Sequence, residues 1–152
     1  GKAVGKGNIL VMDRLQDPGN IGTMIRTAEA AGYKGIILTS GTGDVYSPKV
    51  VRAAAGSLFR MPVLNAGDSG EAVELIRRMG KKITVTCPDN GINCFEADMV
   101  SDTALVIGNE GRGVSRGFME NADIKVKIPM AGSIESLNAA VAAGILMYQS
   151  QR

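Results

Sequence analysis

Short apolar runs alternate with helical patterns along this chain, and that alternation limits what it can fold into. Ile9-Leu10-Val11-Met12, Gly35-Ile36-Ile37-Leu38, Ile83-Thr84-Val85-Thr86 and Ala104-Leu105-Val106-Ile107 read as strands, the last being the most continuous. Helix signals lie between them. Asp17 caps a helix with Pro18 in its first turn, an apolar stripe at Ile21, Met24, Ile25 and Ala28, and Gly32 as its stop. Ser47-Pro48 opens a short helix that Gly56 closes, and Asp68 with Glu71 forms a capping box for a helix that runs to Met79. Leu58 to Val63 reads as a short strand weakened by Pro62, and Ile124 to Ile128 as one with Lys125 and Lys127 on a wet face or near an edge. The last helix is expected to begin near Ser136 and to bury Leu137, Val141, Gly144, Ile145 and Tyr148. Strand–helix alternation predicts an α/β domain: a mostly parallel sheet with helices on both faces.

The 152 residues fit one domain with one substantial core. Residues 1–7 are rich in glycine and lysine and read as linker, with the domain proper at 8–152 and the whole expected to be a piece of a longer protein. Aromatics are 4% of the chain, which suits a sheet wrapped by small-residue helices. There is no histidine, which excludes Ser-His-Asp and Cys-His hydrolases and argues against a zinc enzyme. Any general base must then be a carboxylate, lysine, tyrosine, cysteine or an unusual arginine. Cys87 and Cys94 match neither a CxxC redox pair nor a zinc knuckle and are read as reduced thiols of a cytoplasmic protein. No apolar run is long enough to span a membrane. A net charge of +2 would not by itself predict a nucleic-acid binder.

Three clusters of small and polar residues exceed what such a fold needs. They are Asp17-Pro18-Gly19-Asn20-Ile21-Gly22 with Arg26, Gly108-Asn109-Glu110-Gly111-Arg112-Gly113, and Ile128-Pro129-Met130-Ala131-Gly132 followed by Ser136-Leu137-Asn138. Each falls where a strand ends or a helix begins, and open α/β sheets bind ligands at such edges. Together they point to one site assembled from distant parts of the chain, and so to an enzyme. The dinucleotide G-x-G-x-x-G spacing and the P-loop are both absent, as is the glycine-rich loop of the commoner methyltransferases after the first strand.

In their order and gaps the clusters resemble the SpoU (TrmH) family of RNA ribose methyltransferases, within the SPOUT superfamily. Asn20-Ile21-Gly22 with Arg26-Thr27-Ala28, Ile107 to Val114, and Ile128-Pro129-Met130 with Ser136-Leu137-Asn138 look like its three motifs, and the likeness runs from about Leu10 to Tyr148. The resemblance implies a C-terminal deep trefoil knot, S-adenosylmethionine held by the knot loops, and a homodimer packed through the knot region. It implies a methyl transfer to a ribose 2′-hydroxyl of RNA, with ribosomal RNA favoured over transfer RNA, no metal, and in many members an RNA-binding domain ahead of this one. It places Arg26, Asn20, Glu110, Ser136 and Asn138 in the catalytic set. Cofactor contacts fall to Gly108, Ile128, Leu137, Thr86 and Met130.

The chemistry can be read beside that likeness. In-line displacement at a sulfonium methyl needs an oriented hydroxyl, a route for its proton and a positioned sulfonium. A guanidinium stays protonated, so Arg26 is better suited to anchoring phosphate than to acting as a base. Asn20 would orient Arg26 or Glu110, and the Glu110 carboxylate would hold Asn20 or Arg26 in place. Each residue also has a structural role available: a surface arginine for Arg26, an N-cap for Ser136, core packing for Ile128 and Leu137. Lys49, Arg52 and Arg60 form one basic group, and Arg77, Arg78, Lys81 and Lys82 another. Either would contact phosphate or remain a solvated helix surface. Two rivals stand beside the enzyme: an inactive RNA-binding relative, which the intact Asn20, Arg26, Glu110 and Asn138 oppose, and a generic nucleotide-binding module such as a flavodoxin-like domain.

Overall fold

The computed structural model describes residues 6–151, so residues 1–5 of the expected linker lie outside the described residues. Seven strands, β1 (Ile9–Asp13), β2 (Ile36–Leu38), β3 (Val63–Asn65), β4 (Lys82–Thr86), β5 (Ile92–Asn93), β6 (Thr103–Gly108) and β7 (Ile124–Lys127), form one sheet. Their order is β3-β2-β1-β6-β4-β7-β5, and every neighbouring pair is parallel. Five helices cover it: α1 (Pro18–Ala30), α2 (Pro48–Ala54), α3 (Ser69–Arg78), α4 (Arg116–Glu120) and α5 (Ala139–Gln149).

Alternation along the strands divides the core. Leu10, Met12, Ile36, Leu38, Leu105 and Ile107 join Met24, Ile25, Val50, Ala143 and Leu146, so α1, α2 and α5 share one face. Ile9, Val11, Ile37, Ile83, Val85 and Val106 join Ala72, Val73, Ile76 and Phe118 under α3 and α4 on the other. Both faces are covered, which explains why β1 and β6 are nearly continuous apolar runs. Gly22 is where α1 meets α2 most closely: a Cβ there would collide with the Ala53 methyl and come within 2.7 Å of the Val50 carbonyl oxygen. The end of α5 is tied to the loop after α1 by Tyr33 and Ser150, whose hydroxyls lie 2.8 Å apart, and burial pushes the Tyr33 hydroxyl up to about 12.

The capping signals are realised. Asp17 accepts from the Gly19 amide at 2.9 Å, Ser47 from Val50 at 3.4 Å and Asp68 from Glu71 at 2.8 Å. Other expectations are corrected. Leu58 to Val63 is not a strand: residues 57–59 form a 3-10 turn and the strand starts at Val63. Pro62 has no N–H for the ladder, and its carbonyl accepts from Ile36 at 2.9 Å as the last group before β3. The last helix starts at Ala139, not Ser136. Its buried residues are Ala140, Ala143, Leu146 and Met147, whereas Val141 and Tyr148 are 52% and 49% exposed. The helix is apolar all round, so periodicity could not choose its inner face, and the small alanines are what the sheet admits. β5 and α4 are too short to have announced themselves.

At the sheet edge opposite the strands' carboxyl ends, Gly7 donates to Asp102 Oδ1 at 3.0 Å and accepts from the Lys81 ammonium at 2.6 Å. Asn8 beside it receives the Thr103 amide at 2.8 Å and donates to the Met99 carbonyl at 3.2 Å.

Candidate active site

The carboxyl ends of β1, β6, β4 and β7 open onto one cleft with a cavity volume of about 930 Å³. All three clusters reach it. Asn20, Glu110, Ser136 and Asn138 line it, and so do Gly108, Ile128, Leu137, Thr86 and Met130. Arg26 does not: it is exposed on α1, and among the described residues no side chain lies within hydrogen-bond or ion-pair reach of it. The site therefore gathers every candidate except the one expected at its centre.

The second cluster is a tight loop built on backbone contacts. Asn109 and Gly113 exchange amide hydrogen bonds of 3.0 and 2.9 Å, and the Asn109 side chain accepts from the Gly111 and Arg112 amides at 2.9 Å each. The loop folds back onto Gly108, where a Cβ would fall on the Gly113 carbonyl carbon and the Val114 nitrogen. Only glycine fits there. Asn109 also donates to the Arg14 carbonyl at 2.7 Å, and the Arg14 guanidinium donates to the Gly113 carbonyl at 3.1 Å.

Glu110 corrects an expectation. Its carboxylate holds neither Asn20 nor Arg26 but accepts from the backbone amides of Gln16, at 3.2 and 3.3 Å, and Asp17, at 2.9 Å. It clamps the second cluster onto the segment that launches α1, and so acts on Asn20 through the backbone. Asn138 is likewise reassigned in part. It is the N-cap of α5, its Oδ1 accepting from Ala140 at 2.9 Å and Val141 at 3.3 Å, which leaves its amide nitrogen for the cleft. Ser136 precedes the cap and is exposed in the cleft wall, so the capping role expected of it belongs to Asn138. Leu137 and Met130 are each 38% exposed and are not core residues, while Ile128 packs against the core and also faces the cleft.

Asp13 was missed in the sequence, although a charge closing an otherwise apolar strand was a signal. It is 1% exposed. One oxygen accepts from the Thr39 hydroxyl at 2.9 Å, the other from the Ser115 amide and hydroxyl, each at 2.6 Å. Asp13 pairs with Gly108 in the β1–β6 register, so this buried carboxylate fastens the exit of the glycine loop to the end of β1. Arg14, next in sequence, turns at φ 59 and donates its amide to the Thr39 and Thr42 hydroxyls at 3.1 and 3.0 Å. Cys87, Pro88 and Asp89 after β4 also line the cleft without having been singled out for it. Cys87 and Cys94 are free thiols, both buried. Among the described residues no group of acidic or thiol side chains could hold a metal ion, and no helix is long and apolar enough to cross a membrane.

A parallel α/β domain with a glycine-tight loop, a capped final helix and a cleft at the carboxyl edge defines a class of small-molecule-binding domains, and comparison with known proteins narrows it. The model of the SpoU rRNA Methylase family matches residues 7–148, and the chain belongs to that family. A Bacillus subtilis protein named 23S rRNA (guanosine(2553)-2′-O)-methyltransferase is 42% identical over 140 residues, covering 92% of this chain and 56% of its own. A 23S rRNA (uridine(2479)-2′-O)-methyltransferase of Streptomyces viridochromogenes is 42% identical over 148 residues, covering 94% and 52%. The solved structure of the SpoU methyltransferase AviRb from that organism, in complex with AdoMet, superimposes with a TM-score of 0.86 at 40% identity, over 94% of this chain and 56% of that one. The chain thus spans about half the length of the curated relatives it matches.

Proposed function

We propose that this domain transfers a methyl group from S-adenosylmethionine to the 2′-hydroxyl of a ribose in ribosomal RNA. The observation that carries this is the convergence of three sequence-distant clusters on one cleft. The lining fits the cofactor: Ile107, Val126, Ile128 and Leu137 offer an apolar slot for adenine, and the bare backbone at Gly108 allows a close approach. When bound, S-adenosylmethionine supplies an activated methyl on a sulfonium. Asn20, Ser136 and the free amide of Asn138 orient the incoming ribose, and Glu110 keeps Asn20 in place through the backbone at Gln16 and Asp17. Arg26, an unpaired cation on the helix that begins at the cleft, anchors an RNA phosphate and so holds the target nucleotide against the cleft. Two relatives named for different 23S rRNA bases support ribosomal RNA ahead of transfer RNA and leave the base open.

We further propose a homodimer through α5. A helix that is apolar all round is covered on both sides, and the exposed Val141 and Tyr148 of α5 await a second copy. The C-terminal trefoil knot that the family likeness implies is in keeping with α5 packing against the Cys94–Glu96 turn and β6. Two buried free thiols are in keeping with a cytoplasmic protein. The test is to incubate the full-length protein with S-adenosylmethionine and ribosomal RNA and to map ribose methylation by mass spectrometry. One 2′-O-methyl site is expected. No methylation of ribosomal or transfer RNA, with cofactor binding intact, refutes the proposal. Arg26→Ala is expected to lower turnover by about 10²–10³-fold with cofactor affinity unchanged.

A further inference from the structure

The basic side chains of this molecule sort into those already engaged and those left free. Arg60 is held by Glu29, with bonds of 2.8 and 2.7 Å, so it drops out of the basic group it was counted with. Arg77 is held by Asp123 at 2.5 Å, Lys81 by Asp102 at 3.5 Å and Lys82 by Asp98 at 3.6 Å, which neutralises most of the other group. Lys49 and Arg52 differ. They stand exposed on one side of α2, and among the described residues neither has an ion-pair partner. No Asp or Glu occurs between Asp44 and Asp68, so α2 carries no acid of its own to pair with them.

Their position gives that charge a direction. α2 packs on α1 at Gly22, two residues after Asn20 of the cleft wall, and the loop leading to α2 is bonded to the cleft rim by Gln16, whose side-chain amide donates to the Gly41 carbonyl. Arg26 is on the same α1. Tyr46, 64% exposed, stands just before α2. A strand whose reacting ribose lies at Asn20 can thus continue over the Lys49 and Arg52 cations and the Tyr46 ring.

We propose that Lys49 and Arg52 form a phosphate-binding surface for the RNA flanking the target nucleotide, with Tyr46 stacking on a base. This rests on the reading of the domain as an RNA methyltransferase. It assigns to α2 affinity for the RNA and no part in the chemical step.

The test measures the full-length protein on a ribosomal RNA transcript across a salt series. For Lys49→Ala with Arg52→Ala, the slope of log K against log salt should flatten by about 0.7 for each lost contact on single-stranded RNA. The KM for RNA should rise about tenfold or more at moderate salt, by the same counterion release, while kcat at saturating RNA and cofactor affinity are unchanged. Tyr46→Ala should weaken binding without changing the slope, because stacking releases no counterions. Arg78→Ala, another exposed cation on the opposite face, is the control and should leave both unaltered. An unchanged slope and KM in the double variant, or an equal loss in the Arg78→Ala control, overturns the proposal while the methyltransferase reading stands. A parent protein that neither binds nor methylates RNA overturns both.

Discussion

Replacing Asp13 with alanine tests whether the cleft is locked from inside the sheet. The carboxylate is 1% exposed and takes three hydrogen bonds, from the Thr39 hydroxyl at 2.9 Å and from the Ser115 amide and hydroxyl at 2.6 Å each. A bond to a charged acceptor contributes about 1.5–3 kcal/mol, and a buried donor left stranded costs about 1–3 kcal/mol. The three bonds share one carboxylate and do not add, and Ser115 is only half-buried, so water recovers part of the loss. A loss of about 3 kcal/mol follows. At this chain length each kcal/mol lowers Tm by about 2–4 °C, so the expected drop is roughly 6–12 °C. Asn at this position can turn its oxygen to Ser115 and its amide to the Thr39 hydroxyl, so Asp13→Asn should lose about half as much. Because Asp13 pairs with Gly108 in the ladder, cofactor affinity should weaken in the same rank order. Thermal melting followed by circular dichroism, with calorimetric titration of S-adenosylmethionine, reads both effects. A Tm and a cofactor Kd for Asp13→Ala matching those of the parent would refute the lock.

Gly108→Ala should leave the protein folded, at a cost of about 1–3 kcal/mol for overpacking, yet remove cofactor binding in the same titration, because its Cβ would displace the Gly113–Val114 backbone. Val141→Asp with Tyr148→Asp places charge on the exposed face of α5 and should give a folded monomer by analytical ultracentrifugation. Asp123 governs part of the acid limb of stability. Burial works to raise its pKa, but the Ile83 amide, the Arg77 hydrogen bond and the charges of Arg77 and Lys82 outweigh it and hold the carboxyl below the ordinary aspartate range. A depressed folded-state pKa contributes stability above the unfolded value of about 3.9 and loses it as pH falls through the folded one. Asp123→Asn should therefore flatten the loss of stability between about pH 4 and the acid end, as seen in urea melts at successive pH values.

Much of the architecture could be read because the relevant signals are local. Asp17, Ser47 and Asp68 cap their helices with side chains a few residues away, and the apolar run Ala104–Ile107 is long enough to declare a buried strand. What stayed hidden is non-local. The partners of Glu110 are amides more than ninety residues earlier, and no local pattern distinguishes them from Asn20 or Arg26. Asp13 follows the apolar run Ile9–Met12, and nothing local marks Ser115, 102 residues later, as its partner. The inner face of α5 is not legible because both faces are apolar, and which one meets the sheet depends on whether another surface covers the other. The cleft itself was anticipated because its residues are the small and polar ones that strand–helix alternation cannot account for.

The strand order has a consequence for how the chain is made. β6 is the middle of the sheet, but it is synthesised after β1 to β4 and must enter between β1 and β4. Until Thr103–Gly108 has left the ribosome, the inner edges of β1 and β4 have no partner, and β1 is buried at every position in the finished fold. The nascent chain therefore carries two open apolar edges through most of its synthesis, a state prone to pairing with other chains. A chain arrested near residue 102 should be captured by chaperones or aggregate, whereas one that has passed Gly108 can join β1 to β4 through β6. For this domain, the step that joins the two halves of the sheet during translation is the arrival of a single strand.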